Sequence, residues 1–530
     1  MNNAKILSVA RDRMAEAIKA DEQNREDALN DLEFLSGKQW PEKERSEREA
    51  ANRPTPTINR LTRFVRQVTG DIRKLNPAIR VLSADRAATP EVSEIFEGLI
   101  RHIQADCDAS SVYEGAAESA AQCGIGGFRI LAEYEDETGF DQVLKIKRIH
   151  NPMSIYWDPA AREATRSDAE FCFITDQMKA EDFKKMYPKA GENDAEHDGQ
   201  TDGMEYWHQE GRVVVAEYFW KERESVEIGL MRDGTVIEKP NAAMDLVKTR
   251  KADRVRVKWA KISGQNVLEG PKNFPSSYIP VISVVGEEMH IGERVVRTSV
   301  IRNAKDSQQI YNYYAATQTE VVALQPKAPY LVTPKQVAGL EGFWNSANVA
   351  NRPYLPFNPD EKVGMPQRAQ PAVSSQGIER EMLRAEDDMK ATTGIYDAAL
   401  GGRSNEQSGV AIRQRQLESD ISTSIYTDNL SKSIEQCGRV IVDMIPRIYD
   451  TQRVLRILGE DDKEKMVPVN GAIIEGGEVR PVNPLTQGKY DVRVTVGPNY
   501  TTRRQETSES MMQFVQAFPA AGEVAGDLIA

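Results

Sequence analysis

The chain has 530 residues, 40% of them hydrophobic and 28% charged, with a net charge of -13 and a pI near 5.2. That length holds about two to four domains or one elongated protomer, and that apolar content fills cores, which excludes wholesale disorder. The acidic balance excludes a simple cationic DNA binder, but not a wall past which DNA moves without being gripped.

In chain order, residues 4–35 predict an amphipathic helix, with Ile6, Val9, Met14, Ala17, Ile18, Leu29 and Leu32 near a 3.6 period. "SGKQWP" (36–41) stops it. A second helix is expected over 56–75, carrying Ile58, Leu61, Val65, Val68 and Ile72 on one face and Arg60, Arg63, Arg66 and Arg73 around it. Residues 90–123 are read as helical. After "CGIGG" the pattern turns to strand. "FRILAEY", "VLKIKRI", "RVVVAEYFW", "ESVEIGL" and "RVRVKWAKI" are short runs rich in Val, Ile and aromatics, extending to about residue 288. From Glu293 to Gln325 there are 33 residues without Gly or Pro, read as one helix, which at 1.5 Å per residue would span about 50 Å. The Pro-rich stretch 326–367 suggests a compact strand–helix–strand unit. Another helix is expected at 378–393, with Ile378, Met382, Ala385 and Met389 on one face. Residues 401–408 are read as a polar loop. A long helix follows, with Leu417, Ile421, Ile425, Leu430, Ile434, Ile441, Met444 and Ile448 as its stripe and a kink expected at Pro446. "YDVRVTVG" (490–497) reads as a strand, and 502–530 as helical. The fold class is α+β.

The motifs for chemistry are sparse. Cys107, Cys123, Cys172 and Cys437 have no CxxC spacing and read as reduced thiols. His102, His150, His197, His208 and His290 form no HxxxH or HExxH, so neither a metal nor a cofactor is expected. The N-terminus lacks the apolar core of a secretory signal, and no apolar run is long enough to span a membrane. "CGIGGFRI" (123–130) orders helix, glycines, strand, the reverse of a phosphate loop. It reads as a C-cap turn, with Gly124, and Gly126 as a second candidate, in conformations closed to other residues. No GxxxxGK[ST] or GxSxG occurs, so no ATP hydrolysis or nucleophilic catalysis is expected. "EDD" (386–388) could bind Mg²⁺, or could be a solvated acidic face. In "KTRKADRVRVKWAKI" (248–262), Arg254, Arg256 and Lys258 alternate with Val255, Val257 and Trp259. That basic face is either a solvated outer surface or a contact for nucleic acid or an acidic partner.

The stretch "GGRSNEQSGVAIRQRQ" (401–416) sits at the mouth of the long helix. Gly401 and Gly402 supply hinges, and Ser404, Asn405 and Ser408 can cap a helix. Arg403, Gln407, Arg413, Gln414 and Arg415 suit phosphate oxygens. An ordinary interhelical loop and a sliding, sequence-blind DNA contact both fit.

Taken in order, "LEFLSGKQWP" (32–41), "NRPTPTINRL" (52–61), "CGIGGFRI", "NPMSIYWDPAAREATRSDAEFCFI" (151–174), "VIRNAKDSQQIYNYYAATQTE" (300–320), "KAPYLVTPKQVAGLE" (327–341) and "SGVAIRQRQ" (408–416) resemble the portal, or head-to-tail connector, proteins of tailed double-stranded DNA phages, the short-tailed type above all. The resemblance covers nearly the whole chain. It implies a mixed α/β wing over 1–290 with returning strands at 452–498, stem helices at 293–325 and 378–395, and a small α/β clip at 326–376. It also implies a tunnel loop at 396–408, a long helix at 409–450 and a helical crown beginning near 500. Tunnel-loop contacts to DNA would fall on Arg403, Ser404, Asn405, Gln407, Arg413 and Gln414. Clip contacts to partners would fall on Lys335, Gln336, Phe343 and Trp344. The expected activity is non-enzymatic: a ring of about twelve copies at one capsid vertex of the virion, assembled in the host cytoplasm, passing double-stranded DNA. Expected partners are major capsid and scaffolding proteins, terminase and tail adaptors. The competing readings are a phage DNA-processing enzyme, such as a nuclease or ATPase subunit, and another ring-forming tail component.

Overall fold

The computed structural model describes residues 2–497, except 75, 86–87, 137, 191–205, 210, 232–235, 239–245, 293, 325–327, 351, 361–362, 370–375, 397–408, 460–462 and 476–477. It opens with α1 (Asn3–Leu35), α2 (Glu42–Ala50) and α3 (Thr62–Lys74), then β1 (Asn76–Ser83), α4 (Pro90–Asp106) and α5 (Ala109–Cys123). The β region comprises β2 (Ile125–Tyr134), β3 (Gln142–Arg148), β4 (Ile155–Trp157), β5 (Phe171–Lys179), α6 (Ala180–Met186), β6 (His208–Gln209), β7 (Arg212–Met231), β8 (Val236–Glu238), β9 (Leu246–Ile262), β10 (Val267–Asn273), β11 (Val281–Val285), β12 (Glu287–Ile291) and β13 (Arg294–Thr298). Next come α7 (Lys305–Leu324), β14 (Tyr330–Leu331), α8 (Pro334–Val337), α9 (Glu341–Asn345), β15 (Gln367–Arg368), α10 (Gln376–Thr393) and α11 (Gly409–Ile448). The described chain closes with β16 (Arg453–Leu458), β17 (Glu464–Val469), β18 (Gly471–Glu475), β19 (Glu478–Val482) and β20 (Tyr490–Gly497).

Two compact units result. The first gathers residues 1–29, 67–299 and 423–530, and the second gathers 30–66 and 300–422.

The first unit is built on an antiparallel sheet ordered β10-β9-β7-β5-β4, with β6 and β8 also paired to β7. One face buries Phe171, Phe173, Tyr218 and Trp220 against Ile6, Leu7, Ala10, Met14 and Ala17 of α1. The other buries Cys172, Phe219 and Val257 with Ile155, Ile279 and Val281. This two-sided burial explains the near-continuous apolar runs of β5 and β7. A second sheet, β11-β2-β3, carries α5. Far apart in sequence, β1 and β20 pair in full register from Asn76↔Gly497 to Ser83↔Tyr490.

At the α5–β2 junction, Gly124 caps α5 with φ +83°, a conformation open to glycine. Gly126 has a different reason to be glycine: a Cβ there would lie 1.9 Å from the Ala116 carbonyl oxygen. It sits inside β2, where helix and strand touch backbone to backbone.

Several expectations are corrected. The stretch 293–325 is not one helix: β12 and β13 form a hairpin through Gly292 at φ +63°, and α7 begins only at Lys305. Val295, Val296 and Thr298 are β-branched. Arg297, 8% exposed, meets Asp21 at 2.5 Å, and Asn24 of α1 bonds the backbone of Val295 and Arg297. The lack of Gly and Pro permits a helix without requiring one. Helix 56–75 starts later, at Thr62, because the Ile58 and Arg60 N–H groups donate to the side chains of Asn312 and Gln308. The helical stretch 90–123 breaks at Asp108, which is left-handed with φ 46°. The strands read at "RVVVAEYFW" and "ESVEIGL" are one strand, β7. In α11, Ile425 is 42% exposed, and Tyr426, Leu430, Ile434, Cys437, Ile441, Met444 and Ile448 form the buried stripe. The helix continues past Pro446 to Ile448. On α1, Leu29 is 52% exposed, off the buried stripe.

Candidate functional site

In the second unit α10 packs along α7, and charged and amide side chains fix both. Asp31 is fully buried and binds Arg302 at 2.8 Å and Lys305 at 2.6 Å, while Lys305 also lies over the Phe34 ring. Asn312 and Gln308 are buried on α7. Asn312 donates to Gln39 at 2.7 Å, and Gln308 donates to the Ile58 carbonyl at 2.8 Å and to Asn312 at 3.1 Å. Glu386 on α10 is gripped by Arg60, by Arg63 at 3.2 Å and by Lys390 at 3.7 Å. Arg53 binds Glu320 through two nitrogens, at 3.1 and 3.0 Å. Arg48 sits between Trp40 and Tyr313. Sequence reasoning missed this network, because partners such as Arg63 and Glu386 lie 323 positions apart. The one available signal was the amide-rich "QQIYNYY" on an otherwise apolar helix face.

Between these helices in sequence lies the insert 328–369. β14 and β15 close its base through Tyr330↔Arg368 and Leu331↔Gln367. Thr333 and Gln336 form a reciprocal capping box at the start of α8. Trp344 stacks edge-on to Tyr330 and donates Nε1–H to the Pro356 carbonyl at 2.9 Å. Of the residues expected to meet partners, Lys335 and Phe343 are exposed and Trp344 is half-buried. Gln336 is 1% exposed, and its amide donates to the Gly364 carbonyl at 2.8 Å. Around them Leu331, Val349, Tyr354 and Met365 are exposed apolar side chains.

α11 is anchored at its C-terminal half in the first unit. Ser433 donates to the Ser283 carbonyl at 2.7 Å, and Asn429 donates to the Gly286 carbonyl at 2.8 Å. Asp443 accepts from Ser276 and Ser277 and pairs with Arg447. Gly438 leaves room for Ile79 and Val492, so the β1–β20 pair lies directly on the helix. Arg403, Ser404, Asn405 and Gln407 lie outside the described residues, while Arg413 and Gln414 fall in the first turns of α11. The expected crown lies outside the described residues as well.

Among the described residues no cluster of three His, Cys, Asp or Glu could hold a metal, and Glu386 of "EDD" is engaged by arginines. Burial pushes the Cys172 thiol well up and the Cys437 thiol up to about 12, away from the thiolate a nucleophile needs. A groove of 790 Å³ runs along α1 and β13. Of the cations that line it, Arg25 and Arg297 are held by Asp21, and Arg166 by Glu288. On β9, Arg256 pairs with Glu224 at 2.9 Å and Lys258 with Glu222 at 2.6 Å. These two cations of the predicted basic face are neutralised across the sheet. No helix of the described residues is long and apolar enough to cross a membrane.

A family model of phage P22-like portal proteins matches residues 11–530. The chain belongs to this family. It is also 26% identical over 488 residues to a portal protein of Acyrthosiphon pisum secondary endosymbiont phage 1, which covers 86% of this chain and 67% of that protein. The mixed helix and sheet architecture is consistent with a portal fold, and the family is a structural one.

Proposed function

We propose that the chain forms a ring of about twelve copies at one vertex of a phage capsid and conducts double-stranded DNA during packaging and ejection. The observation that carries this reading is the match to the portal family from residue 11 to residue 530. In this reading the first unit supplies most of the wing. α7 and α10 are stem helices, the insert 328–369 is the clip, and 396–408 is a tunnel loop feeding α11. The polar clamps on α7 and α10 support a stem role, since charge pairs and amide networks fix angle and register where apolar packing tolerates sliding.

The exposed Lys335 and Phe343, with the partly covered Trp344, would meet terminase during packaging and tail adaptors afterwards. Capsid and scaffolding proteins would meet the ring elsewhere. Arg403, Ser404, Asn405, Gln407, Arg413 and Gln414 would touch the DNA backbone without reading bases. The net charge of -13 per copy would discourage the channel wall from gripping DNA.

Negative-stain electron microscopy with native mass spectrometry on the purified chain tests the reading. Closed rings with a hole wide enough for duplex DNA are expected. A monomer with a metal-dependent nuclease or ATPase rate would overturn it.

A further inference from the structure

The two halves of β9 differ in one respect that the portal reading does not use. Near its end, β9 is sandwiched: β7 lies on one side, and β10 pairs on the other from Val267↔Ile262 to Asn273↔Lys258. The Phe274 N–H closes that second edge at the Val257 carbonyl. Before Val257, β7 is the strand's one neighbour among the described residues. From Leu246 to Arg256 the outer edge of β9 has no neighbouring strand among the described residues. Those eleven residues offer about 36 Å of open backbone donors and acceptors at 3.3 Å each.

The charges change along this open segment. Arg256 and Lys258 are neutralised by Glu224 and Glu222 of β7. Further out, the register sets Lys248 opposite Leu230 and Arg250 opposite Ile228. Lys248 and Arg250 are exposed and face apolar side chains, whereas Lys251 stands opposite Glu227. Beside them Val247 is 59% exposed and Leu230 38%. An open strand edge, exposed cations and apolar side chains thus coincide on one segment of a chain whose net charge is -13.

Edge cations commonly guard a sheet against pairing with its own copies. The same charges that repel an identical strand attract an acidic one. We propose that the free edge of β9, from Leu246 to Arg256, receives an extended acidic segment of a partner protein as an added strand. Backbone bonds would give affinity, and carboxylates meeting Lys248 and Arg250 would give selectivity.

The experiment uses the full chain and a fluorescent peptide of alternating Glu and Val, about ten residues long to match the edge. Anisotropy reads binding, and hydrogen exchange reads the amides of 246–256. The peptide is expected to bind with an affinity that falls with salt, and to slow exchange in 246–256. N-methylation of alternate peptide amides should abolish binding. The K248E/R250E variant changes only exposed side chains and should weaken binding by about tenfold or more, with an unchanged circular dichroism spectrum. Four results would overturn the proposal: no binding by the peptide; binding without protection of 246–256; tighter binding of duplex DNA dependent on Lys248 and Arg250; or protection of 246–256 without peptide that rises with protein concentration, which would assign the edge to a second copy.

Discussion

The two units bury different chemistry. The first holds its sheets with apolar clusters, such as Phe171, Phe173, Tyr218 and Trp220 under α1. The second holds its helices through Asp31, Gln308, Asn312, Glu386 and the bases that meet them. Apolar burial is non-directional and tolerant of small shifts, whereas a buried ion pair or amide network is satisfied in one geometry and costly in others. A unit built on aromatic layers is therefore sensitive to volume and close approach. A unit built on polar clamps is sensitive to the loss of a single partner.

The largest expected effect is steric and falls in the first unit. Gly126→Ala drives a methyl group into the Ala116 carbonyl and should cost more than about 4 kcal/mol, read as loss of soluble, cooperatively unfolding protein. A stable Gly126→Ala variant would break the contrast at its strongest point. Asp31→Asn comes next. It leaves Arg302 and Lys305 facing a neutral group in a buried site and should cost about 3 kcal/mol. Hydrogen exchange should accelerate in α7 while β5 and β7 stay protected. Equal acceleration in both would show that the units do not differ in this way. Glu386→Gln should cost about 1 kcal/mol, since its arginine partners are about a third exposed, with faster exchange confined to α10.

The smallest effect requires no mutation. With burial raising the Cys172 and Cys437 thiols, a thiol reagent at mildly alkaline pH should modify half-buried Cys107 first. Cys123, Cys172 and Cys437 should react only on unfolding. Equal rates would mean that the first unit's core is open.

Much of this was legible in the sequence. α1, α10 and α11 follow from 3.6-residue apolar spacing, and β2, β3 and β9 from strand composition. The turn at Gly124 follows from the order helix, glycine, strand. Boundaries were less legible where a distant partner decided them. Residues 294–298 become a strand because Asn24 and Asp21 of α1 bind them. Residues 58–60 stay out of the helix because side-chain amides of α7 accept the Ile58 and Arg60 N–H groups. At the candidate site, Lys335 and Phe343 were placed on the surface, but Gln336 was not separable from them. Its capping role depends on Thr333, and its burial on the Gly364 carbonyl.

The sequence by itself determined which segments could be helix or strand, the lack of a phosphate loop, and the order of parts that marks the portal family. These are local properties, set by side-chain period and composition within a few turns of chain. The tertiary structure alone decided that β1 pairs with β20 and that Glu386 serves as an anchor for arginines. It alone decided that Arg256 and Lys258 of the basic strand meet Glu224 and Glu222, while Lys248 and Arg250 face Leu230 and Ile228. Each of these depends on which groups meet across hundreds of residues, and pairing across that distance leaves no periodic trace in either partner.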